Sequence, residues 1–292
     1  MGRKFLCLLL CLMCCVTAAL AEEPADFFDQ AEAESIGRFV RDYDSPTLKY
    51  TMEKFRMARE ICYLTRIWVQ DPARQIRKAT SEWKKDVKYP DKIVKQIPEA
   101  VLAVNGSGFV SPLYPEIPEN YPGVSKDYHY TPLGSVTVTD GEVLRNLEGV
   151  PYYGLTLDAD GLQMYVDADN AEVLATEPSQ TWSFYTGCPM MRDNEDILPE
   201  EWPFADRGAS RTIIARVDRN NYMILTVTRQ RGAGLTLRRT VTFFRENFST
   251  EWVYNLDGGN STALMCRNKG KKTMRLVIDR GAKIVDIMAF TE

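Results

Sequence analysis

The densest concentration of polar side chains and glycine in the chain is Asn255-Leu256-Asp257-Gly258-Gly259-Asn260-Ser261-Thr262. It follows the apolar residues 252–254 and leads into another apolar run. A carboxylate at a strand end, followed by two glycines, lets the backbone approach a ligand closely while Asp257 faces a cleft. The amides and hydroxyls from Gly258 to Thr262 are of the kind that bind an anion. The same residues also make a tight hairpin with Asp and Asn as turn formers, and local grammar alone favours that plainer reading.

Three further segments share this character. Asn105-Gly106-Ser107-Gly108-Phe109 comes directly after the apolar residues 100–104. Ser210-Arg211-Thr212 enters a strand running to Val217, and its arginine offers a planar fork of donors suited to phosphate. Gly232-Ala233-Gly234-Leu235-Thr236 places glycines before a helix start, where backbone amides face an anion favourably. Taken singly, each also reads as a flexible turn or a surface arginine.

The motifs the chain lacks narrow the chemistry. Its single histidine, His129, lies between Tyr128 and Tyr130 and reads as a loop residue. HExxH sites and His-rich metal clusters are therefore excluded. A Ser-His-Asp triad would need a G-x-S-x-G elbow, which is missing. Neither G-x-x-x-x-G-K-[ST] nor G-x-G-x-x-G occurs, so the common nucleotide-phosphate loops are out. Asp158-Ala159-Asp160-Gly161 lacks the further ligands of a calcium loop and reads as a turn. No metal ligand set and no cofactor is expected. A net charge of −4 and a pI near 5.4 argue against a nucleic-acid partner held on a broad basic surface.

Strands must carry most of these segments. Residues 61–69 and 100–104 are short apolar runs of the buried-strand kind. Residues 154–158 and 162–166 flank Asp160-Gly161, a hairpin signal, and residues 211–217 and 222–228 flank a second turn. Residues 252–256, 262–266, 274–278 and 284–290 complete the series. One helix stands among them, with Thr236 as its cap and Leu237, Val241, Phe244 and Phe248 on one face. A shorter one is expected over residues 91–96, ended by Pro98. The fold class is α+β: a strand-rich mixed or antiparallel sheet with a few flanking helices, forming a single catalytic domain.

The N-terminus reads as a targeting segment. Arg3 and Lys4 precede an apolar run over residues 5–16, and Ala19-Leu20-Ala21 fits a cleavage site. Residues 1–21 are expected to be a signal peptide cut after Ala21. The mature chain would then be secreted or in the cell envelope, with no stable membrane anchor. Residues 22–46 are expected to be an acidic leader, poorly structured or loosely docked, and residues 47–292 the domain. After the leader only Cys62, Cys188 and Cys266 remain, and no spacing identifies a pair. Residues 114–132, rich in Pro and Tyr, read as a long loop. Nothing in the sequence sets the oligomeric state.

In order and spacing the four polar segments resemble the phosphodiester glycosidase family. Its members carry an N-G-x-x-F turn after a strand, an R-T-A-I-G-like strand, a G-x-x-G-L-T-L helix entry and an N-L-D-G-G-G-S-T turn. The matching residues are Asn105 to Phe109, Arg211 to Ala215, Gly232 to Leu237 and Asn255 to Thr262, within a resemblance over about residues 60–292. The resemblance implies a secreted hydrolase of bacterial type that acts on a sugar-1-phosphodiester, water displacing phosphate at the anomeric carbon. A phosphate monoester leaves readily, so one carboxylate suffices where ordinary glycosidases use two. On this view Asp257 is general base or nucleophile, and Arg211 with the Gly258 and Gly259 amides stabilises phosphate charge. Asn105, Thr212, Gly234, Thr236, Asn260, Ser261 and Thr262 line the sugar and phosphate oxygens. Asn260 stands where the family has a third glycine, and Ile214-Ala215 where it has Ile-Gly. The other reading is a non-catalytic secreted glycan-binding protein with a degenerate version of the cleft.

Overall fold

A computed structural model describes residues 36–82, 86–109, 134–183, 188–200, 202, 204–229, 233–268 and 270–292. The expected signal segment, His129, the loop over residues 114–132 and Gly232 lie outside the described residues.

The chain begins with strands β1 (Arg38–Asp44), β2 (Leu48–Met57) and β3 (Glu60–Val69), then a short helix α1 (Pro72–Gln75) and β4 (Ile76–Thr80). Helix α2 (Pro90–Ile93) continues as a 3-10 turn over Val94–Gln96 into β5 (Ala100–Asn105). Next come β6 (Val136–Thr139), β7 (Glu142–Asn146), β8 (Tyr152–Asp158), β9 (Gly161–Ala168), α3 (Asn170–Ala175) and β10 (Gln180–Ser183). Strands β11 (Pro189–Arg192), β12 (Glu195–Asp196), β13 (Arg211–Arg216) and β14 (Asn221–Thr228) lead to α4 (Leu237–Asn247). The last strands are β15 (Trp252–Asn255), β16 (Ala263–Arg267), β17 (Met274–Asp279) and β18 (Asp286–Thr291).

These strands form three sheets, in the orders β1-β2-β3-β14-β13-β15-β11-β12, β7-β6-β10-β8-β9 and β17-β16-β5-β18-β4. Each described pairing is antiparallel, from β1 with β2 at one edge to β18 with β4 at another. The strand-rich, antiparallel character with few helices is as expected, but it is realised as three sheets rather than one.

The sheets close on a shared core. Ile67, Ile224 and Tyr254 from the first sheet, Leu155 and Trp182 from the second, and Leu102, Leu264 and Met288 from the third form one buried cluster. Each such side chain contributes roughly 1.5–3 kcal/mol by leaving water. The opposite faces are also covered. Side chains alternate along a strand, so Ile214 joins the central cluster while Ile213 and Ala215 pack with Leu237, Val241 and Phe244 of α4. Helix α4 starts where its cap was expected, with the Thr236 hydroxyl accepting from Arg239 N at 3.2 Å. Ile93 and Val94 cover the third sheet, against Ala103 and Ala289. Strands β13 and β14 are buried along their whole length, with Ile213 to Ala215 and Tyr222 to Leu225 as their apolar centres.

Within the stretch expected to be an acidic leader, poorly structured or loosely docked, residues 38–44 form the edge strand β1 in register with β2. Backbone pairing with an existing edge requires no apolar period in the added strand. Accordingly β1 is largely exposed.

Candidate active site

Four strand ends meet at Asn105. Its side-chain amide donates to the carbonyl of Asp257 at 2.6 Å. Its Oδ1 accepts from the Thr212 hydroxyl at 2.6 Å and from Ala263 N at 3.0 Å. Asn105, Thr212 and Ala263 are fully buried. One side chain thus ties the end of β5, the start of β13, the turn after β15 and the start of β16. A second bond, Asp257 N to Gly106 O at 3.0 Å, closes the link in the other direction.

These bonds set the backbone of Asp257, and the surroundings set its carboxyl. Asp257 is partly accessible, while Asn255 and Leu256 before it are sealed. Loss of solvent around the carboxyl pushes its pKa up from 3.8 to about 7. The charge of Asp286 pushes in the same direction, while hydrogen bonds from Ser261 and Gly258 oppose it. A carboxyl that titrates near neutrality can hold or give up a proton at working pH.

The glycines are required by close approach. A Cβ on Gly106 would collide with the Asp286 carboxylate and come within 2.8 Å of Trp182 Cδ1. One on Gly258 would come within 2.7 Å of Ser210 O.

Several donors expected to face an anion are already engaged. Gly258 N donates to Asp257 Oδ1 at 2.7 Å, and Gly259 N to Ser210 O at 2.8 Å. Arg211 is buried with its guanidinium on backbone carbonyls. Its Nε reaches Leu235 O at 3.2 Å, and its Nη2 reaches Arg207 O at 2.6 Å and Phe204 O at 3.4 Å. Burial lowers its pKa to about 10. Arg211, expected with these two amides to stabilise phosphate charge, clamps the chain around residues 204–207 and 235 through its Nε and Nη2. It lies on the α4 side of β13 by strand alternation, whereas Thr212 points the other way to Asn105.

Gly234 and Thr236 occupy the entry to α4. Gly234 has φ +83°, and its N donates to Glu60 Oε1 at 3.0 Å. Leu235 pairs with Ala209, one residue from Ser210, so this segment supports the Gly258 turn from behind. Asn260 is exposed, within a 3-10 turn over Gly259–Ser261. Thr262 is buried, and neither its hydroxyl nor Asn255 Oδ1 has a hydrogen-bond partner.

Sequence reasoning missed Lys78 and Asp286. The signal was a lone acidic residue, Asp286, heading the apolar run of β18; Lys78 on β4, beside the exposed Arg77, carried none. It also missed a pocket of about 220 Å³, lined in part by Lys54, Tyr63, Thr228, Asp279 and Arg280. A short chain of bonds joins that pocket to the Asp257 turn. Arg280 Nη1 donates to Arg229 O at 3.0 Å, Arg229 N to Ser210 Oγ at 2.8 Å, and Ser210 O accepts from Gly259 N. Cys62, Cys188 and Cys266 are buried, and no disulfide joins them among the described residues. Among the described residues no three His, Cys, Asp or Glu side chains gather to hold a metal ion, and no helix is long and apolar enough to cross a membrane.

Strand ends from separate parts of the chain thus fix one carboxyl, with its pKa raised by burial, in a glycine turn on a β scaffold. The chain belongs to the phosphodiester glycosidase family, whose profile matches residues 98–288. The fold is similar to that of the catalytic domain of zebrafish N-acetylglucosamine-1-phosphodiester alpha-N-acetylglucosaminidase, a structure described as auto-inhibited by its pro-peptide. The TM-score is 0.63 at 16% identity, covering 85% of each chain. A hypothetical protein from Synechocystis matches with a TM-score of 0.53 at 12% identity, over 85% of this chain and 63% of its own. No curated protein matches by sequence.

Proposed function

We propose that this protein hydrolyses the glycosidic bond of a sugar-1-phosphodiester, releasing free sugar and a phosphomonoester. The observation that carries this reading is the Asp257 carboxyl, pushed up to about 7 and held by Asn105 and Gly106 at the family's most specific motif. Asp257 in its ionised form takes a proton from the attacking water as general base, or attacks the anomeric carbon itself. The phosphate departs as a stable anion, so no second carboxyl is needed to protonate it. With Arg211 occupied, positive charge for the phosphate comes from Arg280 and Lys54, which border the adjoining pocket. Asn105, Thr212 and Thr262 shape the turn from beneath, while Asp257, Ser261 and Asn260 meet the ligand.

We also propose that residues 1–21 direct secretion and are removed after Ala21. The partner is a glycan or sugar-phosphodiester substrate. Glycan binding without turnover is the second reading. It is favoured by the engagement of the Gly258 and Gly259 amides within the protein, which withdraws two donors from a developing charge.

The test is hydrolysis of a panel of sugar-1-phosphodiesters by the mature chain, with Asp257→Asn alongside. Free sugar released by the wild type alone supports the enzyme. Glycan binding with no release from any substrate would establish the binding protein instead.

A further inference from the structure

We propose that Lys78 and Asp286 form a buried positioning pair for Asp257, holding the turn from Asn105 to Ser107 to which the Asp257 backbone is bonded. The inference rests on the reading of Asp257 as the reacting carboxyl.

The geometry is continuous from the pair to the site. Lys78 on β4 and Asp286 on β18 both lack solvent exposure at the side chain, and Lys78 Nζ lies 3.3 Å from Asp286 Oδ2. In the β18–β4 ladder Met288 is directly opposite Lys78, which makes Asp286 its diagonal neighbour on the same face. The other carboxylate oxygen of Asp286 accepts from Ser107 N at 2.6 Å, and its backbone carbonyl accepts from Gly106 N at 3.1 Å. Gly106 O then accepts from Asp257 N, and Asn105 Nδ2 grips the Asp257 carbonyl. Two bonds therefore separate Asp286 from the backbone of Asp257, along a path sealed from water.

Lys78 is itself fixed. Its ammonium donates to Thr181 O at 2.6 Å and lies 5.8 Å from the centre of the Trp182 ring. Trp182 in turn packs where a Cβ on Gly106 would stand, so the lysine, the ring and the glycine form one stack under the turn. Burial lowers the lysine's pKa, opposed by the charges of Asp286 and, more weakly, Asp140. Desolvating an isolated ion costs several kcal/mol, and a pair in this position is stable only with such additional bonds. A simple apolar core would make the same packing without that cost. What the pair adds is a rigid acceptor for Ser107 N, and Asp286 also contributes, behind burial, to raising the Asp257 pKa.

The experiment compares wild type, Asp286→Asn and the double variant Lys78→Met with Asp286→Asn. Asparagine retains an acceptor for Ser107 N, and the double variant removes both charges together, so no unpaired ion is left in the core. Carbon-13 NMR titration follows the Asp257 carboxyl, assigned by its loss in Asp257→Asn, beside kcat and KM on a sugar-1-phosphodiester. In the folded variants the Asp257 midpoint is expected to move to lower pH. Turnover at saturating substrate should fall on the order of tenfold to a hundredfold, with KM little changed. A folded variant whose Asp257 midpoint stays at the wild-type pH overturns the inference and reduces the pair to a structural one. If the wild type itself releases no sugar, the reading of Asp257 as the reacting group fails. The titration still decides whether the pair is coupled to it.

Discussion

The side-chain amide of Asn105 donates to the carbonyl of Asp257 at 2.6 Å across 152 residues of sequence. The bond makes the position of the carboxylate a property of two sheets. Asn105→Ala removes this donor and leaves the Thr212 hydroxyl and Ala263 N without their buried acceptor. Each stranded group costs about 1–3 kcal/mol, so a loss of about 2–6 kcal/mol is expected in denaturant melts. Asn105→Asp should not rescue it, because a carboxylate cannot donate to the Asp257 carbonyl.

Turnover should report the raised carboxyl. Asp257→Asn is expected to lower kcat by on the order of 10²–10⁴ with the fold intact. If Asp257 acts ionised, the wild-type kcat/KM profile climbs with pH through about 7. A limb near the ordinary carboxylate value of 3.8 would show that the reacting group lies elsewhere.

The same shift has a consequence for stability. Folded Asp257 holds its proton more tightly than the unfolded chain does. Its contribution is therefore fully present below pH 3.8 and lost as pH rises through about 7. Asparagine never ionises, so above pH 7 the Asp257→Asn protein should be more stable than wild type, by about 0.5–2 kcal/mol. Thermal melts at pH 5 and pH 8 check the sign, since the advantage should grow with pH.

The two arginines should separate cleanly. Arg211→Lys keeps the charge but cannot span three carbonyls, so it should lower stability by about 1–3 kcal/mol while leaving KM near wild type. Arg280→Gln is exposed and should leave stability within about 0.5 kcal/mol. It should raise KM for a phosphodiester by about fivefold to tenfold, as loss of one charged contact allows. The reverse pattern would return the phosphate to Arg211.

Asn260 occupies the family's third glycine position yet is exposed and does not have a left-handed φ. Asn260→Gly is therefore expected to change stability by less than about 1 kcal/mol. Because the side chain meets the ligand but not the reacting atoms, kcat should stay within about threefold of wild type while KM rises. A large gain in turnover would identify the Asn260 side chain as the feature that holds activity down.

Much of this protein was legible before any coordinates. The hairpins around Asp160-Gly161 and Asp218 to Asn221 carry their own turn chemistry, and the cap and apolar face of α4 depend only on neighbours a few residues apart. The motif at residues 255–262 likewise marked the Asp257 turn. Strands such as β1 and β4 were not legible, because their pairing, not their own pattern, makes them strands.

Sequence by itself determined which groups are present: a carboxylate with two glycines after it, an asparagine after a buried strand, and the order that places the chain in its family. Tertiary structure alone decided what those groups face. Burial strips water from Asp257 and raises its pKa, and Arg211 meets three backbone carbonyls because residues 204–207 and 235 fold against it. Lys78 and Asp286, some two hundred residues apart in sequence, meet because two strands pair in one register. Electrostatics and hydrogen bonding act over a few ångströms of space, and residue spacing along the chain does not record those distances.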